Sequence, residues 1–416
     1  MLLFVIYYLL SPILFGLILL ISPFNKKIKT VLQQQKKSLQ KITEKLNTDK
    51  KKIIIHAASA GEYEQIKPLL RIIDKSTYFV IVTCMSPTIY KTIQEDQLSD
   101  AYCYHSFDFP WFAKHFFETI NPAIYLTTRH DAWPIHLYIA KKMNIKTIII
   151  NANLYNQSKR LKWFSIGFTK HIFNMFDLII VPTKNIKKIF KNSLQINNTH
   201  IIYDTRFDQV MHRKENSNEI PEFQLIGKDN IIFGSISWED LEIISSTLQN
   251  KSSNNITDGI IIVPHEIDLK LIIEIEKICQ NSTSFSKVRK LSNLKENSNV
   301  RVIIVDKVGI LPELYKYSRF AYVGGGFGYG VHSTIEPLVY NNIVCYGPNI
   351  DLLDEAKEMH QKGCGFIINN GIEFYNKYLE STSPSETNNI RQNIQKYLNQ
   401  KGSSAEKIYN LINEYV

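Results

Sequence analysis

The hydrophobic pattern changes character along the chain. Residues 2–23 (LLFVIYYLLSPILFGLILLISP) carry no charged side chain. A bilayer core of roughly 30 Å takes about 20 apolar residues in a helix, so this run predicts a membrane-spanning anchor over 1–25. No Lys or Arg precedes it, and Ser22-Pro23-Phe24-Asn25 does not read as a small-residue cleavage site, which argues against a secretory signal. Lys26, Lys27 and Lys29 follow directly, and positive flanks stay cytoplasmic, so the rest of the chain is expected on the cytoplasmic side. Over 26–50, Ile28, Val31, Leu32, Leu39, Ile42 and Leu46 recur at helical spacing. That predicts an amphipathic juxtamembrane helix, either lying on the lipid surface or serving as a solvated linker.

Beyond Lys52 the pattern switches to short β-branched runs separated by helical stretches. Strands are predicted over 53–56, 79–83, 123–127, 147–151 and 178–182, and again over 231–235, 259–264, 302–306, 321–324 and 343–347. Continuous apolar strands alternating with helices indicate parallel sheets covered on both faces. The polar, Pro-containing stretch 211–230 divides the two sets and reads as a linker between domains at 51–210 and 231–416. Two Rossmann-like domains of this size predict an α/β architecture with a ligand cleft between them.

Charge refines this picture. The net charge is +10, and ten lysines stand against Glu44 and Asp49 between residues 24 and 52, so the folded remainder is close to neutral. A nucleic-acid-binding domain would carry its basic face on the fold, so nucleic acid is not an expected partner. An anionic leaflet suits the lysine cluster, at about 1 kcal/mol per juxtamembrane Lys. The five cysteines (84, 103, 279, 345 and 364) form no C-x-x-C and the histidines no H-E-x-x-H, so idle or buried thiols and no metal are expected.

Several segments suggest chemistry. Glu62 follows a strand and the small-residue loop Ala58-Ser59-Ala60-Gly61, and opens a helix carrying Ile66, Leu69, Leu70 and Ile73. Ser59 and Gly61 let a substrate approach the backbone. Glu62 can either deprotonate an attacking hydroxyl or serve as a first-turn acid stabilised by the helix dipole. In the second domain, Ser235 ends a strand whose amides can cradle phosphate. Pro264 and His265 end the next, and Val308, Gly309 and Ile310 precede a helix. The run Gly324 to Gly330, including Gly325 and Gly326, implies close backbone approach to a ligand. His332 and Glu336, four residues apart, can share a helical face beside Ser333. Over 158–176, Lys159, Arg160, Lys162, Lys170 and His171 interleave with Trp163, Phe164, Phe168, Phe173 and Phe176. The aromatics are either core with a cationic fringe or a face that docks on lipid.

Together these segments resemble the bacterial 3-deoxy-D-manno-octulosonic acid (Kdo) transferases, two-domain glycosyltransferases of the B-type (GT-B) fold. The resemblance is carried by His56-Ala57-Ala58-Ser59-Ala60-Gly61-Glu62, Thr83-Cys84-Met85-Ser86-Pro87-Thr88, Asp131-Ala132-Trp133-Pro134 and Tyr203-Asp204-Thr205-Arg206-Phe207-Asp208. It continues in Gly324-Gly325-Gly326-Phe327-Gly328, His332-Ser333-Thr334-Ile335-Glu336-Pro337 and Gly347-Pro348-Asn349. The resemblance implies that Glu62 is the general base of an inverting transfer. It implies Kdo moving from CMP-Kdo to a lipid A precursor, lipid IVA, at the inner membrane in lipopolysaccharide synthesis, with no metal or other cofactor. By the same resemblance, Ser235, Pro264, His265, Val308, Gly309, Ile310, Gly325, Gly326, His332, Ser333 and Glu336 are donor-site candidates. Ser59, Gly61, Arg129, Asn151, Lys159 and Arg160 are acceptor-site candidates.

The chain departs from the family pattern at Ser333 (usually Asn), at Pro264-His265-Glu266 (P-R-H), and at Gly309-Ile310 (Gly-Glu). It departs again at Asn151-Ala152-Asn153 (N-A-R) and at Asn341-Asn342-Ile343 (G-K-P). These place the phosphate-neutralising and acceptor-binding positions in question. The alternatives are another GT-B glycosyltransferase or a sugar-nucleotide epimerase, since fold does not fix substrate, and a membrane-tethered binding protein without turnover.

Overall fold

The computed structural model describes residues 2–224, 230–249, 259–281, 287–294, 300–351 and 353–415. The chain divides into two compact units, Met1–Gln209 with Ser403–Val416, and Val210–Gly402.

The first unit is built on seven parallel strands: β1 (Lys51–His56), β2 (Tyr78–Cys84), β3 (Ala101–Tyr104), β4 (Ile124–Thr128), β5 (Lys146–Ile150), β6 (Leu178–Val181) and β7 (Thr199–Ile201), in the order β3-β2-β1-β4-β5-β6-β7. The period-2 alternation of a strand sends Ile54, Tyr125 and Ile149 into one core layer and Ile53, Ile55, Ile124, Leu126, Ile148 and Ile150 into the other. The second unit repeats the plan with β8 (Asn230–Ile236), β9 (Ile260–Pro264), β10 (Val288–Lys290), β11 (Val302–Ile304), β12 (Ser318–Val323), β13 (Ile343–Tyr346) and β14 (Gly365–Ile367), in the order β10-β11-β9-β8-β12-β13-β14. All pairings in both sheets are parallel. Each unit is therefore Rossmann-like, with its strand order reversing between β1 and β4 in the first and between β8 and β12 in the second. In open α/β sheets, ligands bind beyond the carboxyl ends of strands at such a reversal.

The domain expectation is corrected in two places. Helix Arg206–Glu215 runs through the unit boundary, where a polar linker over 211–230 is predicted; 225–229 of that stretch lie outside the described residues. The final helix, Ser404–Tyr415, belongs to the first unit and not to a second domain reaching 416. Ile408 and Ile412 are buried among Ile66, Leu69 and Leu70, and Asp208 accepts from the Ala405 N–H at 2.7 Å.

The amino-terminal helix α1 (Leu2–Ile21) is followed by α2 (Lys26–Thr43). α2 does not present its apolar face to lipid or to solvent. Val31, Leu39 and Ile42 are buried in the cores of the first unit, while Lys29, Lys36, Lys37 and Lys41 remain exposed. Ser38 Oγ accepts from the Tyr104 N–H at 3.1 Å, and Gln35 Nε2 donates to the His105 carbonyl. Strand β3 is a sheet edge, and covering such an edge with a helix blocks its pairing with another chain. All five cysteines are buried and free, and burial raises the thiol pKa of each, for Cys84 to about 12.

Candidate active site

At the reversal point of the first unit, β1 ends in His56 and α3 (Ala60–Ile72) begins four residues later. Ser59 is the helix cap. Its hydroxyl accepts from the Glu62 N–H at 3.3 Å, and Glu62 Oε2 accepts from the Ser59 N–H at 2.9 Å, a reciprocal capping box. Glu62 is thereby fixed, with only 7% of its surface exposed. Gly61 has open space where a Cβ would stand, so nothing crowds that face of the loop.

Beyond β4, Asp131 approaches the same loop. Its carboxyl is near the Glu62 carboxyl and the Ala58 N–H, with the Arg160 guanidinium close enough to favour its charged form. Burial first, and then the Glu62 carboxylate, raise the Asp131 pKa from 3.8 to about 7. Both causes favour the protonated form of Asp131. His56 Nε2 lies 3.5 Å from Asp131 Oδ2; burial lowers the His56 pKa to about 3, so this is a neutral contact and not an ion pair. His56 Nε2, Asp131 Oδ2, Thr127 Oγ1, Thr128 Oγ1 and Trp133 Nε1 are all buried without a hydrogen-bond partner in the protein. Such a concentration of orphaned polar atoms is unusual in a fold and points to a place where a ligand or water completes the bonding.

A string of buried rings stands behind this pair. His56 packs on His105 at 4.1 Å and His105 on His136 at 4.4 Å. His136 Nδ1 meets Asp108 Oδ1 at 2.8 Å, and the same Asp108 oxygen accepts from the His136 N–H at 3.0 Å, capping helix Pro134–Lys142 from a distance. Tyr7 of α1 donates to Asp108 Oδ2 at 3.1 Å.

The acceptor candidates divide. Ser59, Gly61 and Arg160 adjoin the acid pair. Arg129, at φ 57°, follows β4 directly. Arg160 donates to the His130 carbonyl at 3.0 Å. Asn151 is used by the fold: its amide donates to Thr205 Oγ1 at 2.9 Å and its oxygen accepts from the Thr205 N–H at 3.3 Å. Lys159 is exposed, as are Trp163 and Phe164, whereas Phe173 and Phe176 are core, so the 158–176 segment is part core and part surface.

In the second unit the donor candidates gather beyond β8, β9, β11 and β12. Ser235, at φ 55°, interrupts the register of β8 just before its end at Ile236. Its carbonyl would lie 2.2 Å from a Cβ on Gly324, so only glycine fits there. A Cβ on Gly326 would meet Gly347 at 2.6 Å. Gly324 and Gly326 thus let backbone approach backbone. Asp240 organises the turn: it accepts from the Gly325 N–H at 3.0 Å, the Ser237 N–H at 2.9 Å and Tyr322 OH at 2.6 Å. It lies outside every motif quoted from the sequence and is fully buried.

His332 does not share a helix face with Glu336. It lies before helix Ile335–Val339 and stacks on His265 at 4.0 Å and 17°. Burial, then His265, lower the His332 pKa. Glu336 lies in the first turn of that helix, and its charge adds to burial in raising the pKa of Tyr315. Val308 and Gly309 are exposed; Ile310 caps the short helix Leu311–Leu314. Pro264 ends β9, and the following His265 N–H is held by the Ile236 carbonyl at 2.9 Å.

The family model described as 3-deoxy-D-manno-octulosonic-acid transferase matches residues 30–209, which contain the acid pair. Relatives extend the match to both units. The 3-deoxy-D-manno-octulosonic acid transferase of Aquifex aeolicus is 26% identical over 88% of this chain and 95% of its own length. That of Chlamydia muridarum is 24% identical over 87% and 85%. Over both units, then, the chain is similar to Kdo transferases. Among solved structures, a glycosyltransferase from Rickettsia africae matches this chain with a TM-score of 0.59 at 13% identity, covering 89% of this chain and 100% of that one. A UDP-GlcNAc 2-epimerase from Neisseria meningitidis bound to UDP-GlcNAc matches with a TM-score of 0.62 at 14% identity, covering 87% and 100%. At these identities the likeness is one of fold, and the fold is the GT-B class of α/β architecture.

Proposed function

We propose that this enzyme transfers Kdo from CMP-Kdo to a lipid A precursor such as lipid IVA, with inversion, on the cytoplasmic face of the inner membrane during lipopolysaccharide synthesis. The observation that carries the reading is the Glu62–Asp131 pair at the reversal point of the first sheet, inside the region matched to the family. Burial favours the protonated form of Asp131, and Glu62 is assigned as the base. Glu62 takes the proton from an acceptor hydroxyl as that oxygen bonds to the anomeric carbon of Kdo. The bond from that carbon to the CMP phosphate oxygen breaks, and CMP leaves with the electron pair. Asp131, when protonated, donates a hydrogen bond to the Glu62 carboxylate and keeps it oriented throughout.

Arg160, in the electrostatic reach of Asp131, stands in for the arginine that the family carries where this chain has Asn153, and would meet an acceptor phosphate. In the second unit, the stacked His265 and His332 would face the CMP phosphate, and Glu336 would accept the ribose hydroxyls. The reading calls on no metal and no organic cofactor. The epimerases that share the fold leave their activity unassigned to this chain. The test is incubation of membranes containing the full chain with CMP-Kdo and lipid IVA, followed by mass spectrometry of the lipid. A product heavier by one or more Kdo units supports the reading. Unmodified lipid IVA from membranes that still bind CMP would refute it.

A further inference from the structure

The helix α1 is long and apolar enough to cross a bilayer, with mean hydropathy 2.5 over Leu2–Phe24. A crossing helix meets lipid around its circumference through the full hydrocarbon depth. α1 is placed differently. Phe4, in its first turn, packs on Tyr138 and His171, each at 5.3 Å. Tyr7 bonds to the buried Asp108, and Ser11 is 1% exposed. Phe15, near the other end, packs on Phe109, Trp111 and Phe112 at 5.2–5.8 Å. These positions fall on one side of a 3.6-residue helix, so the folded unit lines α1 along most of its length. The opposite side, with Leu2, Ile6, Leu9, Ile13, Leu17 and Leu20, is exposed.

A crossing α1 held in this way would carry its neighbours into the hydrocarbon. The Lys142 ammonium lies 4.6 Å from the Tyr138 ring that touches Phe4, and Lys141 is near enough to His171 to lower its pKa. Charged groups at that depth are strongly disfavoured.

We propose that α1 lies in the plane of the membrane as a monotopic anchor, one side clamped to the first unit and the other immersed in the cytoplasmic leaflet. The occupant of the exposed face is the acyl region of an anionic bilayer. Exposed Lys26 and Lys29 follow α1 directly and meet lipid headgroups. Trp163, 89% exposed, and Phe164 precede helix Ile166–Phe173, whose His171 touches Phe4, and offer further apolar side chains to a membrane. This goes beyond the functional proposal and rests only on its membrane location.

The test uses the full chain with different epitope tags at its two ends, in inverted inner-membrane vesicles that present the cytoplasmic face outward. An in-plane α1 leaves both tags open to added protease without detergent. Survival of the amino-terminal tag until detergent is added, while the carboxy-terminal tag is lost, means a crossing helix and overturns the proposal. Recovery of the chain in the soluble fraction overturns it equally. Kdo transfer measured on the same vesicles is a separate readout, which a crossing α1 would leave intact.

Discussion

Glu62 serves the fold and the chemistry with the same carboxylate. One oxygen closes the capping box with Ser59, and the group faces Asp131. Replacing it with Gln keeps a side chain able to accept the Ser59 N–H and removes the base. Transfer is expected to fall by about 10² or more, because a positioned base contributes about 10²–10⁴. CMP affinity measured by calorimetry is expected to stay unchanged. A Gln variant with wild-type turnover would remove Glu62 from the mechanism.

Asp131 is the residue whose importance the motif alone conceals, because its neighbour lies 69 positions earlier in the chain. Its pKa is raised to about 7, so between about pH 4 and 7 the folded protein holds a proton that the unfolded chain has released. Stability from this group is therefore present at low pH and is lost as pH rises through that window. The Asn variant does not titrate. Its melting temperature is expected to match wild type near pH 4, to gain on it up to pH 7 and to stay ahead by a constant margin above. Each kcal/mol relieved is worth about 2–4 °C in a unit of this size. A constant difference across pH would show that Asp131 titrates normally.

At the scale of elements, ten strands are readable from continuous β-branched runs, and the four that are not (β3, β7, β10 and β14) are the outer strands of the two sheets. An outer strand pairs on one side only and is short; Val288–Lys290 and Thr199–Ile201 carry too few apolar residues to stand out. Glu62 and its helix are legible because a small-residue loop, a cap and a periodic apolar face coincide. Asp240 is not, since a lone acid in a polar loop has no pattern; only the fold shows that it holds Gly325, Ser237 and Tyr322 together. The spacing of His332 and Glu336 misleads because the helix starts only at Ile335. The glycine loop gives a sharp expectation. Gly326→Ala places a methyl 2.6 Å from the Gly347 backbone, which cannot yield as a flexible side chain would. CMP binding is expected to fall at least tenfold while the secondary structure of both units, followed by circular dichroism, persists. Retained affinity would mean that this loop does not shape the nucleotide site.

For the whole molecule, the separation of surface from core in the 158–176 segment sharpens the membrane question. Lys159 and Lys162 are exposed beside Trp163, while Arg160 is turned toward His130 and the acid pair. Changing Lys159 and Lys162 together to Gln is expected to weaken co-sedimentation with anionic vesicles several-fold at low salt and little at high salt, where charges are screened. Transfer to a short water-soluble acceptor should be unaffected. Arg160→Gln is expected to do the reverse, sparing vesicle binding and impairing transfer. Equal vesicle binding by wild type and the double-lysine variant would leave the contact to α1 and α2.

The return of Ser404–Tyr415 to the first unit sets an order on synthesis. Ile408 and Ile412 complete a core begun some 350 residues earlier by Ile53 and Ile66, while Val210–Gly402 is uninterrupted. As the ribosome releases the chain from its amino end, the second unit has all of its residues before the first does. Until the last helix emerges, the first unit waits with a hydrophobic gap beside Ile66, Leu69 and Leu70. A nascent first unit therefore has an incomplete hydrophobic core until residues 404–415 have been made, and that is the interval in which it most needs a chaperone.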